Sequence, residues 1–321
     1  MGAKDFLRTL PRLVVSGGVI AGGVAMEQVW RLDLATLRWE GMSALVDARS
    51  DHACCAVRND LFIIGGATPE NDVIGSVEML AEGEGSFMGQ PPLECGGIGG
   101  AVAIVANESD SAAGQVLLLG GYGADDETVS TVYLVDLATG KCTPQPNLLC
   151  ERCHFTAARL PDGRIICAGG LVSTLTALSS VEVCEPPALG GIDAAWTWRQ
   201  LPDMSVARHS CGGCLLSDGR FAILGGTDAN NEPLSSCETL VVGHDEHWKF
   251  MPPLREARAY FVCAAVAGCI VVAGGVCRTP NEMVRLRSAE VFDEVLGRWL
   301  QLPCDLPITF GERMDMGSAL L

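Results

Sequence analysis

Phe221-Ala-Ile-Leu-Gly225-Gly226 is a short apolar run closed by a glycine pair, and the chain contains six such runs. The other five read Leu13-Val-Val-Ser-Gly17-Gly18, Leu61-Phe-Ile-Ile-Gly65-Gly66, Val116-Leu-Leu-Leu-Gly120-Gly121, Ile165-Ile-Cys-Ala-Gly169-Gly170 and Ile270-Val-Val-Ala-Gly274-Gly275. Their first glycines lie 48, 55, 49, 56 and 49 residues apart. A period near 50 residues makes each unit one supersecondary structure, unable to bury its faces alone and stable when stacked on its neighbours.

Working outward from each glycine pair, a bulky residue follows at a near-fixed distance. Trp39, Phe87, Trp198, Trp248 and Trp299 lie 22, 22, 29, 23 and 25 residues beyond the first glycine, and only the third repeat departs, with Cys142 at 22. Between pair and anchor a second short strand carries Ser76-Val-Glu78, Ser180-Val-Glu182, Ser236-Cys-Glu238 or Ser288-Ala-Glu290, while the remaining repeats have Val29-Trp30 and Val132-Tyr133. Upstream of the glycine runs comes a further apolar stretch led by Arg49, Arg152, Arg208 or Arg258; the third repeat has Glu94-Cys95 where this arginine is expected. Asp162-Gly163 and Asp218-Gly219 predict two-residue hairpin turns, because Asp-Gly readily supplies the positive φ angles such turns need. Each unit therefore reads as a meander of four short strands.

The glycine pair, the aromatic about 22 residues later and the repeat length resemble those of a kelch repeat. Six copies imply an all-β fold, a six-bladed kelch β-propeller of four-stranded blades covering residues 1–321 as a single domain. Blade one is expected at about 12–46 plus 313–321, blade two at 47–92, blade three at 93–148, blade four at 149–204, blade five at 205–254 and blade six at 255–306. Repeat one begins at its glycine strand, and Arg313-Met-Asp-Met-Gly-Ser-Ala-Leu-Leu321 matches Arg258-Ala-Tyr-Phe-Val-Cys-Ala-Ala-Val266 in layout. The C-terminal segment is expected to complete blade one against residues 12–18, which removes an open sheet edge.

Composition bounds the function. Of 321 residues 38 are glycine, and twelve of these belong to the six pairs, so the excess is architectural. Hydrophobic residues at 48 % exclude a disordered chain, and a net charge of −17 argues against nucleic acid or an anionic membrane as partner. Fifteen cysteines, an odd number, and a start without the cation-then-apolar order of a signal peptide point to free thiols in the cytoplasm. A monomeric propeller is expected.

With strands lettered A to D outward from the axis, the D–A and B–C connections share one face. The A-strand arginines Arg49, Arg152, Arg208, Arg258 and Arg313 are expected beside the channel mouth there. Resemblance to kelch substrate adaptors implies that these five read carboxylates or phosphates, a task that suits the guanidinium fork. Pairing with the Ser-x-Glu glutamates is the competing reading, and the residue pattern leaves both open. Arg278, Arg285 and Arg287 of blade six, with Tyr260, extend the expected partner-binding set, facing an acidic side at Asp125, Asp126 and Glu127.

Other motifs read as structural. Cys150-Glu-Arg-Cys153-His154 has the spelling of a haem-attachment motif but enters a strand, and Cys211-Gly-Gly-Cys214 places its thiols on opposite faces. His244-Asp-Glu-His247 falls in a turn, and His52, His154 and His209 follow their arginines by three, two and one residues, so they do not form one layer and are expected as polar residues lining the channel. No metal, cofactor or catalytic residue is expected. The expected function is protein–protein interaction: binding a partner protein or acidic peptide on the arginine-bearing face, as in the substrate-recognition part of a ubiquitin ligase. Such adaptors carry BTB, BACK or F-box regions, and repeats that start by residue 12 leave none ahead of the propeller, so the chain is expected to work alone or as a fragment of a longer adaptor. The alternative is a small-molecule enzyme of the kelch mutarotase or lyase type.

Overall fold

Strand B of each repeat is a continuous apolar run because both of its faces are covered, one by each neighbouring blade. Leu61–Ile64, Phe221–Leu224 and Ile165–Ala168 are buried at every position, whereas the outermost strand Trp248–Met251 has half-buried ends and an exposed middle, Lys249 and Phe250. The computed structural model describes residues 11–20, 23–107, 111–185, 196–243, 245–307 and 315–321.

Six four-stranded antiparallel sheets form the blades. Blade two is built from Ala53–Val57, Asp60–Ile64, Val77–Leu80 and Met88–Gln90, and blade five from Gly212–Leu215, Phe221–Leu224, Cys237–Leu240 and Trp248–Met251. Blade one takes its innermost strand from the C-terminus, Gly317–Leu320, with Leu13 paired to Leu320 and Ser16 to Gly317. Blade six carries an added hairpin in its B–C connection, Val276–Arg278 paired with Met283–Arg285.

The apolar interior is divided by the blades. One cluster joins Phe62 and Val77 of blade two to Ile98 and Val116 of blade three, and another closes the ring by joining Leu13 and Leu32 of blade one to Val262 and Val271 of blade six. Each glycine pair sits where backbone from the next blade arrives. A Cβ on Gly65 would lie 2.3 Å from the Ile98 carbonyl oxygen of blade three and one on Gly66 2.5 Å from that of Ser50 in its own blade, and both residues have positive φ, 65° and 101°. The second glycine then donates its N–H across the junction, as in Gly66 to Ile98 O at 2.8 Å and Gly226 to Arg258 O at 2.9 Å.

The Asp-Gly turns differ from expectation. Leu160 N–H donates to Arg164 O at 2.7 Å and Gly163 N–H to Leu160 O at 2.9 Å, which makes Pro161-Asp162-Gly163 a three-residue loop ending in a left-handed glycine. Leu216 to Arg220 repeats this pattern. Two-residue turns occur instead at Arg58-Asn59 and Ala267-Gly268, where both central residues have positive φ.

Candidate functional site

Four of the expected partner-binding arginines are locked inside their blades. Arg49, Arg152, Arg208 and Arg258 each have no exposed surface. Arg208 Nη1 donates to the carbonyls of Gly225 and Ser236 at 2.7 and 3.0 Å, and Nη2 to Ser236 Oγ and Glu238 Oε1 at 3.1 and 2.9 Å. The other three make the same contacts with Ser76 and Glu78, Ser180 and Glu182, and Ser288 and Glu290. Each glutamate also accepts from the D–A connection, as Glu182 does from Leu149 N–H at 2.7 Å and Glu290 from Arg255 N–H at 2.8 Å. Each carboxylate holds both a guanidinium and a loop amide, and both Nη groups of each arginine are taken up inside the blade; the Nε–H of Arg152, Arg208 and Arg258 has no acceptor but is itself buried, out of a partner's reach. The arginine that reads a ligand and the arginine that pairs internally were competing readings, and burial places these four in the second group. Arg313 lies outside the described residues.

Blade three lacks the pair altogether. The residue whose carbonyl meets the preceding glycine pair, the place of the leading arginine, is Ile98 and not Glu94 or Cys95, and Tyr133 stands opposite Leu118 where Glu78 stands opposite Ile63. The anchors divide similarly. Trp198, Trp248 and Trp299 wedge between blades and donate Nε1–H to the carbonyls of Pro146, Pro202 and Pro252 at 2.9, 2.8 and 2.9 Å, whereas Cys142 meets Cys95 with its sulfurs 2.9 Å apart.

On blade six Arg278 is half exposed and paired with Glu232 of blade five at 2.9 Å. Arg287 donates Nε–H to Leu306 O, and the Nε of half-buried Arg285 is buried without a partner. Among the described members of the expected set, these three arginines and Tyr260 are the ones not sealed in the blades.

The axis is built from a different position, two residues after each leading arginine. Asp51, Gly100, His154, Ser210, Tyr260 and Asp315 occupy it, one from each blade, all in the left-handed region with φ between 49° and 60°. Their backbones form a circle: Gly100 N–H donates to Asp51 O, His154 to Gly100, Ser210 to His154, Tyr260 to Ser210 and Asp51 to Asp315, at 2.8 to 3.1 Å. All six line a cavity of about 140 Å³, with His52 and Phe261 among the other walls. Tyr122 crosses the side-chain-free Gly99-Gly100, where a Cβ would come 2.5 to 3.0 Å from its ring, and donates its hydroxyl to Asp51 Oδ2 at 3.1 Å.

Charge at this circle is unbalanced. Burial first, then the Asp51 carboxylate, pushes Asp315 well above the usual carboxylate range. Burial and Asp51 likewise push the Tyr122 hydroxyl up, which keeps it a donor. His52 and His209 are held neutral, down to about 3 and about 4, by burial and by the neighbouring Arg49 and His154 respectively. His52 packs between blades, its Nε2 2.8 Å from Ser16 Oγ, so of the three histidines His154 is the one on the axial circle. His154 lines the channel as expected, whereas Asp51 and Asp315 carried no signal of their own; the usable one is the single offset from the leading position, which aligns all six blades.

In the turn His244 to His247, His244 lies outside the described residues, and Glu246 is engaged by Arg199 at 2.9 Å. All fifteen cysteines are free thiols. No described helix is long and apolar enough to cross a membrane.

A Kelch motif profile matches residues 257–304. Kelch-like protein 34 of Homo sapiens is 23 % identical over 299 residues, covering 88 % of this chain and 43 % of its own length. Kelch repeat and BTB domain-containing protein 2 of Ectromelia virus is 31 % identical over 114 residues, covering 36 % of this chain and 19 % of that protein. The chain thus spans less than half the length of either relative. A solved structure titled "Structure of YjhT" superimposes with a TM-score of 0.66 at 14 % identity, covering 85 % of this chain and 97 % of that one.

Proposed function

Because this chain is a kelch-repeat β-propeller, we propose that it works as a protein-binding module whose partner docks on the face made by the D–A and B–C connections. The observation that supports this face is the hairpin Val276–Arg278 and Met283–Arg285 of blade six, which carries exposed Met283 beside Arg278. Around it the other B–C connections present Glu70, Asp72, Asp125, Asp126 and Glu127, whereas this hairpin brings Arg278 and Arg285 to the rim, beside its own Glu282 and with Arg278 paired to Glu232 of blade five. An acidic segment of a cytoplasmic partner meets attraction there and repulsion elsewhere, which fixes its position. The substrate-recognition part of a ubiquitin ligase is the version of this role that the resemblance to kelch substrate adaptors implies.

Affinity capture from cell lysate with the wild type and an Arg278→Glu/Arg285→Glu variant tests the reading. Proteins recovered by the wild type and lost from the variant support it. Identical recoveries by the two overturn it.

A second reading has its own observation. The axial cavity brings Asp51, His154, Tyr122 and Tyr260 together, acid–base groups around a space that fits a small polar molecule, which favours a small-molecule enzyme of the mutarotase or lyase type. Binding of a monosaccharide that is abolished by Asp51→Asn, with protein capture unaffected, would favour this reading over the first.

A further inference from the structure

Two carboxylates from different blades face each other at the axis. One ligand atom each of Asp51, His154 and Asp315 lies within 4.8 Å of the other two, and His154 Nδ1 is 3.6 Å from Asp51 Oδ1. That Asp51 oxygen is shut off from solvent and has no hydrogen-bond partner, while its twin holds the Tyr122 hydroxyl. His52, which lines the same cavity and is 6 % exposed, also has an unpartnered Nδ1. No ion pair among the described residues joins a lysine or arginine to Asp51 or Asp315.

Two carboxylates and an imidazole are brought together here with no lysine or arginine among the described residues paired to either acid, an arrangement that attracts a cation. A shared proton would satisfy the pair alone. It would not explain the third group: a separation of 3.6 Å is too long for a hydrogen bond between His154 and Asp51. Two ligands held at about 2.1 Å from one tetrahedral ion are roughly 3.4 Å apart, so the gap is close to that of two ligands on a common centre. Tyr122 then acts as the outer hydrogen bond that orients a ligating carboxylate.

We propose that Asp51, His154 and Asp315 form a divalent-cation site on the propeller axis, open to the cavity on one side. Two carboxylate oxygens and one imidazole nitrogen suit a first-row transition ion such as Mn²⁺, Fe²⁺ or Zn²⁺ better than Ca²⁺, which takes oxygen ligands. Three protein donors leave coordination positions to water or to a carboxylate entering from the cavity. The site stands whichever reading of the function holds, since its ligands come from the axis and not from the blade-six hairpin.

The 321-residue chain, stripped with chelator, should be titrated with Mn²⁺ by calorimetry at neutral pH, because the fifteen thiols would compete for Zn²⁺. One saturable Mn²⁺ per chain is expected, with affinity falling at least tenfold in Asp51→Asn, Asp315→Asn and His154→Ala, and about tenfold in Tyr122→Phe. Metal-free Asp315→Asn should melt at or above metal-free wild type, since it loses the repulsion, and should gain no thermal stability from Mn²⁺. That variant decides the matter if His154→Ala does not fold. No saturable binding up to millimolar Mn²⁺, or binding unchanged in both aspartate variants, overturns the site. Ca²⁺ binding as tight as Mn²⁺ and indifferent to His154→Ala overturns the transition-metal assignment.

Discussion

In blade five, Arg208 and Glu238 are both buried and joined at 2.9 Å, and Trp248 reaches across to the Pro202 carbonyl of blade four. In blade three, Ile98 and Tyr133 stand in the places of that arginine and glutamate, and Cys142 in the place of the tryptophan. The backbone hardly registers the exchange. Gly66 N–H donates to Ile98 O at 2.8 Å just as Gly170 N–H donates to Arg208 O at 2.9 Å. Blade geometry is therefore set by main-chain bonds between the glycine pair and the next blade, and the side chains beneath can be ionic or apolar. Desolvating an ion pair offsets much of its attraction, so an apolar pair of similar volume is an adequate substitute. At the junction where the tryptophan is missing, the backbone comes closer: Gly140 O accepts Glu94 N–H at 2.9 Å, and a Cβ on Gly140 would lie 2.1 Å from the Pro92 carbonyl oxygen.

The comparison breaks most sharply if one member of an ionic pair is removed. Arg208→Leu leaves Glu238 buried without its cation and should destabilise the fold by about 3–5 kcal/mol in urea denaturation. Giving blade five the residues of blade three, Arg208→Ile with Glu238→Tyr, should recover most of that loss. A double variant no more stable than the single one would show that blade three depends on more than these two residues. The anchors come next. Trp299 is 5 % exposed, and Trp299→Cys should cost about 3 kcal/mol, against about 1 kcal/mol for Cys142→Ala in blade three. Equal losses at the two positions would mean that the backbone contact at Gly140 does not replace the tryptophan.

The smallest effect concerns pH. Blade five has His209 where blade three has Gly99, and its folded-state pKa of about 4 lies below the unfolded value near 6.5. Between those values the unfolded chain holds a proton that the folded chain refuses. The contribution is complete above pH 6.5 and lost as pH falls toward 4, with a slope of at most about 1.4 kcal/mol per pH unit. In His209→Ala the stability profile over that window should be flatter by this amount. An unchanged profile would mean that other groups set the acid limb.

Much of this was legible in the residues. The glycine pairs, the tryptophans and the C-terminal strand follow from period and spacing alone, since each repeat is a local meander. The fate of Arg49, Arg152, Arg208 and Arg258 was half legible: the Ser-x-Glu partners were visible, but whether a guanidinium faces its own glutamate or the channel is settled by burial, which spacing does not report. Ile98 is not legible as the leading position, because it is apolar where the other repeats have arginine and Glu94-Cys95 lies ahead of it across Gly96-Gly97. Asp51, His154 and Asp315 come from three blades, so their meeting depends on ring closure and not on any local pattern.

The circle of amides around the axis has an electrostatic result. Each described bond passes from one blade's N–H to the preceding blade's carbonyl, so the peptide dipoles lie along the circumference and point the same way round. Vectors laid tangentially around a circle largely cancel at its centre, so the backbone contributes little net field along the channel, unlike the N-terminus of a helix, where aligned amides favour anions. The potential at the middle of the propeller is left to the side chains that project into it. A single charge change at Asp51 or Asp315 will be felt there at full strength.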